Sequence, residues 1–438
     1  MKKTFIGLLL GATALLGTQA LAETTLTIAT VNNNDMIVMQ KLSKDFEQKN
    51  PDIKLNWVIL EENVLRQKVT TDIATQGGQY DIMTIGMFET PLWGEKGWLS
   101  EFSNIPADYK LDDVLKSVRD GLSIDGKLYA LPFYAESQMT FYRKDLFDKA
   151  GIQMPDQPTW EQIGQFAEKI TDKDKDIYGV CLRGKPGWGE NMGQIGPVVN
   201  SYGGRWFDME WKPQLDTAPW KEGVSTYVDL LKKYGPPGAA SNGYNETLAL
   251  FASGKCGMWV DATVAAGMLS DPKLSQVSDK LGYAHPPVGK FNKGNHYLWS
   301  WALAVPASTK NGDAAKKFIY WATSQDYIKL VAQANGWAAV PPGTRTSTYE
   351  TPEYISAAPF AKLTLETIQT ANPTDATQDK VPYRGISYVG IPEFQSFGTA
   401  VGQKMSAVIA GKQSVDEALK ESQALVARAM KQAGYPKK

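Results

Sequence analysis

Apolar and polar positions change period several times along the stretch that follows Glu23. Thr24–Val31 (TTLTIATV) is β-branched and reads as a strand that stops at Asn32-Asn33-Asn34-Asp35. MIVMQKLSKDFEQK then carries apolar residues at helical spacing and ends at Asn50-Pro51. Ile53–Leu60 predicts a second strand, LRQKVTTDIATQGG a second helix closed by Gly77-Gly78, and Tyr80–Ile85 a third strand. This alternation predicts βαβ units on a parallel sheet. Ligands on such sheets bind at loops beyond the carboxyl ends of the strands, which here are Asn32–Asp35, Glu61-Glu62 and Gly86–Phe88.

The pattern restarts near Leu128. LYALPFYAES is extended with a break at Pro132, and MTFYRKDLFDKAG predicts a strand running into a short helix stopped at Gly151. Thr159 is a good N-cap for WEQIGQFAEKI, with Gln162 at the capping-box position. Lys173–Asp176 reads as a solvated loop, and Lys185–Gly204 as glycine-rich and irregular. Gly235-Pro236-Pro237-Gly238 breaks the chain before ETLALFASGKCGMWVD. YLWSWALAVPAST (Tyr297–Thr309) is strand-like, Asp313–Ser324 is an amphipathic helix, and Gly336–Gly343 is a loop punctuated by Trp and Pro. Helical patterns around Pro392–Ala410 and Val415–Lys431 finish the chain.

The first 22 residues follow different rules. Met1-Lys2-Lys3, the apolar run FIGLLLGATALLG and Ala20-Leu21-Ala22 form the n-region, h-region and cleavage site of a secretory signal peptide. Cleavage after Ala22 removes Lys2 and Lys3 and moves the formal net charge from −1 to −3. An exported protein meets an oxidising compartment, where Cys181 and Cys256 either pair or remain two buried thiols; their spacing does not decide between these.

Composition narrows the chemistry. Lys+Arg and Asp+Glu nearly cancel at 46 against 47, so the basic footprint of a nucleic-acid binder is absent. Two Cys and two His leave little for a metal centre, and no G-x-S-x-G, H-E-x-x-H or P-loop occurs. Glu61-Glu62 could flank a glycosidic bond, but neighbours on a strand point to opposite faces and make a poor acid–base pair. The 13 Trp suit a different task. Polyhydroxylated ligands are held without reaction by carboxylates, Asn and Arg that take hydroxyls, with aromatic faces against the carbon skeleton. Residues of this kind cluster at breaks: Tyr134-Ala135-Glu136-Ser137, Trp188, Trp206-Phe207, Trp259-Val260-Asp261, Trp299-Ser300-Trp301, Trp337 and Arg384. Trp160 and Trp321 sit in helical patterns and are assigned to cores. Arg66 lies one turn into a helix after Glu61, and Asn33 and Asn34 end the first strand.

Taken in order, YDIM (Tyr80–Met83), LYALPF (Leu128–Phe133), FYRKDLFDKAG (Phe141–Gly151), PTWEQ (Pro158–Gln162), FASGKCGMWVD (Phe251–Asp261), WALAVPAST (Trp301–Thr309) and GKQSVDEAL (Gly411–Leu419) give a chain that resembles the extracellular solute-binding proteins of ABC importers for sugars, the maltose-binding-like group. TIATVNNNDM (Thr27–Met36), YLWSWALAVP and NGWAAVPPGTR (Asn335–Arg345) are similar to the sorbitol- and mannitol-binding branch. The resemblance implies an α/β periplasmic binding protein of two lobes, joined by three crossings near Leu131–Glu136, Tyr297–Trp301 and Trp337–Gly343, with the ligand in the cleft. One lobe is expected to hold residues 23–130 and 302–340, the other 131–300 and 341–438. It further implies a monomeric, non-enzymatic periplasmic protein without metal or cofactor, which delivers a linear polyol (sorbitol, mannitol or arabitol) to a membrane permease. Glu61, Arg66, Tyr134, Glu136, Asp261 and Arg384, with Asn33 and Asn34, would take hydroxyls, and Trp259, Trp299 or Trp337 would cover the carbon chain. A mono- or disaccharide ligand, a secreted glycan-active enzyme and an adhesive exported protein are the alternatives.

Overall fold

A computed structural model describes residues 23–437; the expected signal segment, 1–22, lies outside the described residues. The elements that position the site are, in chain order, β1 (Thr24–Val31), α1 (Asn34–Leu42), β2 (Ile53–Leu60), α2 (Glu62–Thr75), β3 (Ile82–Ile85), α3 (Glu89–Glu95), β4 (Ala130–Glu136) and β5 (Gln138–Arg143). They continue with β6 (Tyr178–Cys181), α4 (Asn191–Ser201), α5 (Tyr244–Ala252), β7 (Cys256–Ala262), β8 (Leu281–Ala284), β9 (Trp299–Ala304), α6 (Phe394–Ile409) and α7 (Val415–Gln432).

Two sheets form the cores of two α/β lobes. The first has strand order β2-β1-β3-β9-β4, with β1 parallel to both β2 and β3 and with β9 antiparallel to β3 and β4. The second runs β8-β5-β7-β6, with β6 and β7 parallel and the other pairs antiparallel. Buried Leu26, Ile28, Ile82 and Leu303 fill the first core. Phe141, Val180, Met258 and Trp259 fill the second.

Local chemistry explains where the elements begin and end. The Glu61 side chain accepts from the backbone N–H of Asn63 and Val64, which starts α2 at Glu62. Gln76, in the left-handed region, ends it ahead of Gly77. The capping box at Thr159 is formed, with Gln162 N donating to Thr159 Oγ1 at 3.1 Å and Thr159 N to Gln162 Oε1 at 2.9 Å. The stretch read as irregular, Lys185–Gly204, instead contains α4. All eleven of its residues are buried and Pro197 lies inside it, so it shows no amphipathic period in the sequence.

Cys181 and Cys256 form a disulfide with Cα atoms 5.8 Å apart, joining the end of β6 to the start of β7. Closing a loop of 75 residues of sequence separation stabilises by about 4 to 5 kcal/mol in the chain-entropy account.

Three stretches of chain lie side by side where the sheets meet. β4 ends at Glu136 and β5 begins at Gln138 in the other sheet. β9 returns beside β4, pairing Trp299 with Glu136, Ser300 with Ala135 and Trp301 with Tyr134. Pro342 O accepts from Ala135 N at 2.9 Å on the other side. Gly343 has φ +74°, and a Cβ there would stand 2.1 Å from Ala135 O, so this close approach requires glycine.

Candidate functional site

The chain beyond the carboxyl ends of β1 and β2, the strands β4 and β9 and the loops of the second lobe line a small cavity of ≈ 40 Å³. On the first lobe, α2 begins immediately after β2, so Glu62 and Arg66 stand one turn apart on the same helical face. Arg66 Nε and Nη2 donate to Glu62 Oε1 at 3.0 and 2.9 Å, and Nη1 donates to Glu89 Oε1 at 2.5 Å. Glu89 is fixed in turn by Gly86 N, which donates to its Oε2 at 3.0 Å. Burial opposes the Arg66 charge, but Glu89 and Glu62 outweigh it and hold the group above its ordinary value. The guanidinium faces three indoles, 4.0 Å from the Trp188 ring centroid, 4.6 Å from Trp301 and 5.1 Å from Trp299, an arrangement that strengthens where water is excluded.

On the second lobe, the chain leaving β6 presents Arg183. Its Nε donates to Asp261 Oδ2 at 2.8 Å, its Nη2 bonds Asp261 Oδ1, and its Nη1 reaches Glu190 Oε2 at 3.4 Å. Burial again disfavours the cation, and Asp261 reverses the effect, raising Arg183 well above its ordinary range. Asp261 also accepts from Trp259 Nε1 at 3.1 Å and from Ala262 N at 2.6 Å. Between the two guanidinium clusters lies Glu136, 6% exposed, on the last residue of β4. Burial drives its carboxyl well above the usual range; Arg183 opposes this, while Asp261, Glu62 and Asp35 add to it.

Of the residues singled out from the sequence, Asn33, Arg66, Tyr134, Glu136 and Trp299 line the cavity. Asn33 Nδ2 donates to Tyr134 Oη at 2.9 Å, which joins the end of β1 to the crossing strand β4. The others lie elsewhere. Asn34 opens α1 and points into a separate groove with Asp35 and Val340. Glu61 is occupied as the α2 cap and by Lys185 Nζ, 2.6 Å from its Oε1. Asp261 is fully buried beneath Arg183 and holds it. Trp259 is core, stacked on Phe141 with centroids 5.3 Å apart. Trp337 is half-buried in the 3₁₀ turn Trp337–Ala339, outside the cavity. Arg384 is also outside; Gly385, at φ +126°, turns the chain so that Ser387 reaches the lining instead.

Sequence reasoning named Glu62 only as part of the loop after the second strand and missed Arg183, Gln194, Tyr244, Tyr297 and Ser387; all six line the cavity. The Glu62/Arg66 spacing was the available signal. Trp188 and Trp301, grouped only as aromatic candidates, complete the indole wall. Trp188 Nε1 is buried without a partner, leaving a donor for a bound molecule.

The lobes touch across the cleft. Besides Lys185–Glu61, Asn63 Nδ2 donates to Pro186 O at 3.2 Å, Thr70 Oγ1 to Gln395 Oε1 at 3.1 Å, and Asn245 Nδ2 to Asn32 Oδ1 at 3.3 Å. Phe88 packs on Trp188 with centroids 4.9 Å apart. The result is a partly open cavity with indole faces, fixed charges and free hydrogen-bonding groups, a combination suited to holding a small polar molecule.

The profile of a family described as bacterial extracellular solute-binding protein matches residues 33–329. A mannitol-binding protein of Pseudomonas aeruginosa is 59% identical over 413 residues, covering 94% of this chain and 94% of its own. The solved structure of an ABC transporter solute-binding protein from Agrobacterium vitis S4, with bound D-mannitol, superposes with a TM-score of 0.93 at 60% identity, covering 94% of this chain and 100% of that one. A solute-binding protein from Agrobacterium radiobacter K84 in complex with ribitol gives a TM-score of 0.82 at 26% identity, covering 93% of this chain and 99% of that one.

Proposed function

The chain belongs to the bacterial extracellular solute-binding proteins, and we propose that it binds a linear polyol of the mannitol and sorbitol class in the periplasm and delivers it to the permease of an ABC importer. It is a transport protein and acts by binding, as its family does. The observation that carries the polyol reading is the cavity itself, where the indoles of Trp188, Trp299 and Trp301 lie beside the uncommitted carboxyl of Glu136, the cross-strand partner of Trp299. Such a lining offers apolar indole surface for a carbon chain next to partners for its hydroxyls. The mannitol-bound relative at 60% identity supports the same class.

In this reading Asn33, Tyr134 and Glu136 take hydroxyls together with Arg66, Glu62, Arg183 and Gln194, and Trp299 covers the carbon skeleton with Trp188 and Trp301. We take the lobes to divide at the crossings, residues 23–130 with 302–340 and residues 131–300 with 341–438, the crossing strand β4 itself lying along the first sheet. Ligand bound to both faces shifts the population toward the closed form, the form the permease would recognise. Titration calorimetry against D-mannitol, D-sorbitol, D-arabitol and maltose tests the assignment. The expected result is one-to-one hexitol binding with a thermal shift and no product. Preference for maltose, or turnover of any sugar, would overturn it.

A further inference from the structure

Two cations line the cavity, Arg66 and Arg183, and no other Lys, Arg or His lines it among the described residues. Neither is free. Arg66 is held between Glu62 and Glu89, and Arg183 between Asp261 and Glu190. Lys185, behind this second cluster, is itself taken by Glu61 and Glu190 at 2.6 and 3.6 Å. In each cluster the carboxylates outnumber the cations. Glu136 then stands in the cavity with no hydrogen bond or ion pair to any described residue, 6% exposed. Its oxygens are acceptors that face the cavity, open to water, a proton or a bound molecule.

We propose that the cavity is a charge filter: it admits neutral polyols and polyols carrying one ammonium group, which docks on Glu136, and rejects polyol carboxylates and phosphates of the same length. This rests on the polyol reading above. An anionic ligand would meet no uncommitted cation and would add a carboxylate or phosphate beside Glu62, an unpaired buried charge. An ammonium ligand meets the reverse situation. The charges that act on Glu136 are Arg183 and Asp261 from the second lobe and Glu62 and, from outside the cavity, Asp35 from the first, and the phenols of Tyr134, Tyr244 and Tyr297 lie within their range. In the empty cavity burial and the neighbouring carboxylates favour the protonated form of its carboxyl. The ammonium replaces that proton, which leaves to solvent while the ligand keeps its own three N–H bonds.

The test compares three molecules on one carbon skeleton, D-sorbitol, 1-amino-1-deoxy-D-sorbitol and D-gluconate, by calorimetry on the wild-type protein and on Glu136→Gln. The expected result is an amine affinity within about tenfold of sorbitol and a gluconate affinity at least about 100-fold weaker. The amine's binding enthalpy should also vary with the ionisation enthalpy of the buffer, reporting proton release, whereas sorbitol's should not. Glu136→Gln should cost the amine at least about tenfold more than it costs sorbitol. Gluconate binding as well as the amine, or equal losses for amine and sorbitol in Glu136→Gln, would overturn the filter and leave the polyol reading standing. Failure of sorbitol and mannitol to bind at all would overturn both. Should Glu136→Gln not fold, the buffer dependence in the wild-type protein decides alone.

Discussion

The ammonium of Lys185, on the second lobe, lies 2.6 Å from the carboxylate of Glu61, on the first. The other oxygen of Glu61 caps α2, the helix that carries Glu62 and Arg66. One side chain therefore starts the helix that supplies the site and fastens the opposite lobe over it. The pair is partly exposed, at 23% and 34%, so water and salt screen it and it is worth about 0.5 to 1 kcal/mol. Lys185→Ala should speed ligand release by about two- to fivefold, with little change in association, and should remove part of the salt dependence of release. Stopped-flow tryptophan fluorescence at two ionic strengths would show this; unchanged release at low salt would remove the latch from the mechanism.

Arg183 and Asp261 form a pair of another kind. Both are buried, and Asp261 is fully enclosed. Removing one partner leaves the other charge in a dry interior, which costs about 3 to 5 kcal/mol. Arg183→Ala should lower the urea midpoint accordingly, and Arg183→Ala combined with Asp261→Asn should be less destabilised than the two losses added. Additive losses would mean that the pair is not coupled.

Gly86 sets the position of Trp299. A Cβ at residue 86 would fall 1.9 Å from Trp299 Cζ2, so any side chain there must push the indole aside. Gly86→Ala should cost about 1 to 3 kcal/mol of stability through overpacking and should weaken polyol binding by roughly tenfold or more, since the wall is misplaced. Calorimetry on a variant shown to be folded by circular dichroism distinguishes the two effects. Wild-type affinity in that variant would argue against Trp299 as a ligand surface.

Burial and the neighbouring Glu62 push Glu190 from 4.5 to about 7, against the pull of Arg183 and Lys185. The folded protein thus holds a proton that the unfolded chain has released, and this contribution to stability is lost as pH rises from about 4.5 to about 7. His296, pushed down to about 4 by burial and by His285, acts in the opposite sense, and its contribution is lost as pH falls from 6.5 to about 4. In urea titrations of the ligand-free protein, Glu190→Gln should gain stability relative to wild type between pH 5 and pH 7.5, at roughly 1 kcal/mol or more. A pH-independent difference would contradict the assignment.

Much of the architecture was legible because the signals are local. The β1-to-β3 alternation, the capping box at Thr159 and the strand-like run beginning at Tyr297 each depend on residues a few positions apart. The site was legible only in part, since its members come from both lobes and meet through the fold. Glu61 was favoured over Glu62 because the helix was expected only from Leu65; the Glu61 cap starts it at Glu62, three residues earlier, and hands the cavity-facing position to Glu62. Asp261 was placed on the ligand, whereas it holds Arg183, a residue with no local pattern to mark it. The helix containing Gln194 was hidden because it is buried on every side and has no polar face to set a period. Trp259 and Trp299 both have small or polar neighbours in the sequence, and only the packing around Phe141 and Gly86 separates core from wall.

The hydrogen-bonded ladder between β4 and β9 continues to Trp299 and Glu136, where both strands leave the first sheet, and Pro342 is tied to Ala135 alongside. Three tethers laced together this way act as a ribbon. Bending across the ribbon's face strains few bonds, whereas sliding one tether past another would break the ladder. The lobes should therefore swing like the covers of a book about a single spine, with one angle describing the motion, and paired distance probes at the rim and near the spine should change in fixed proportion throughout opening.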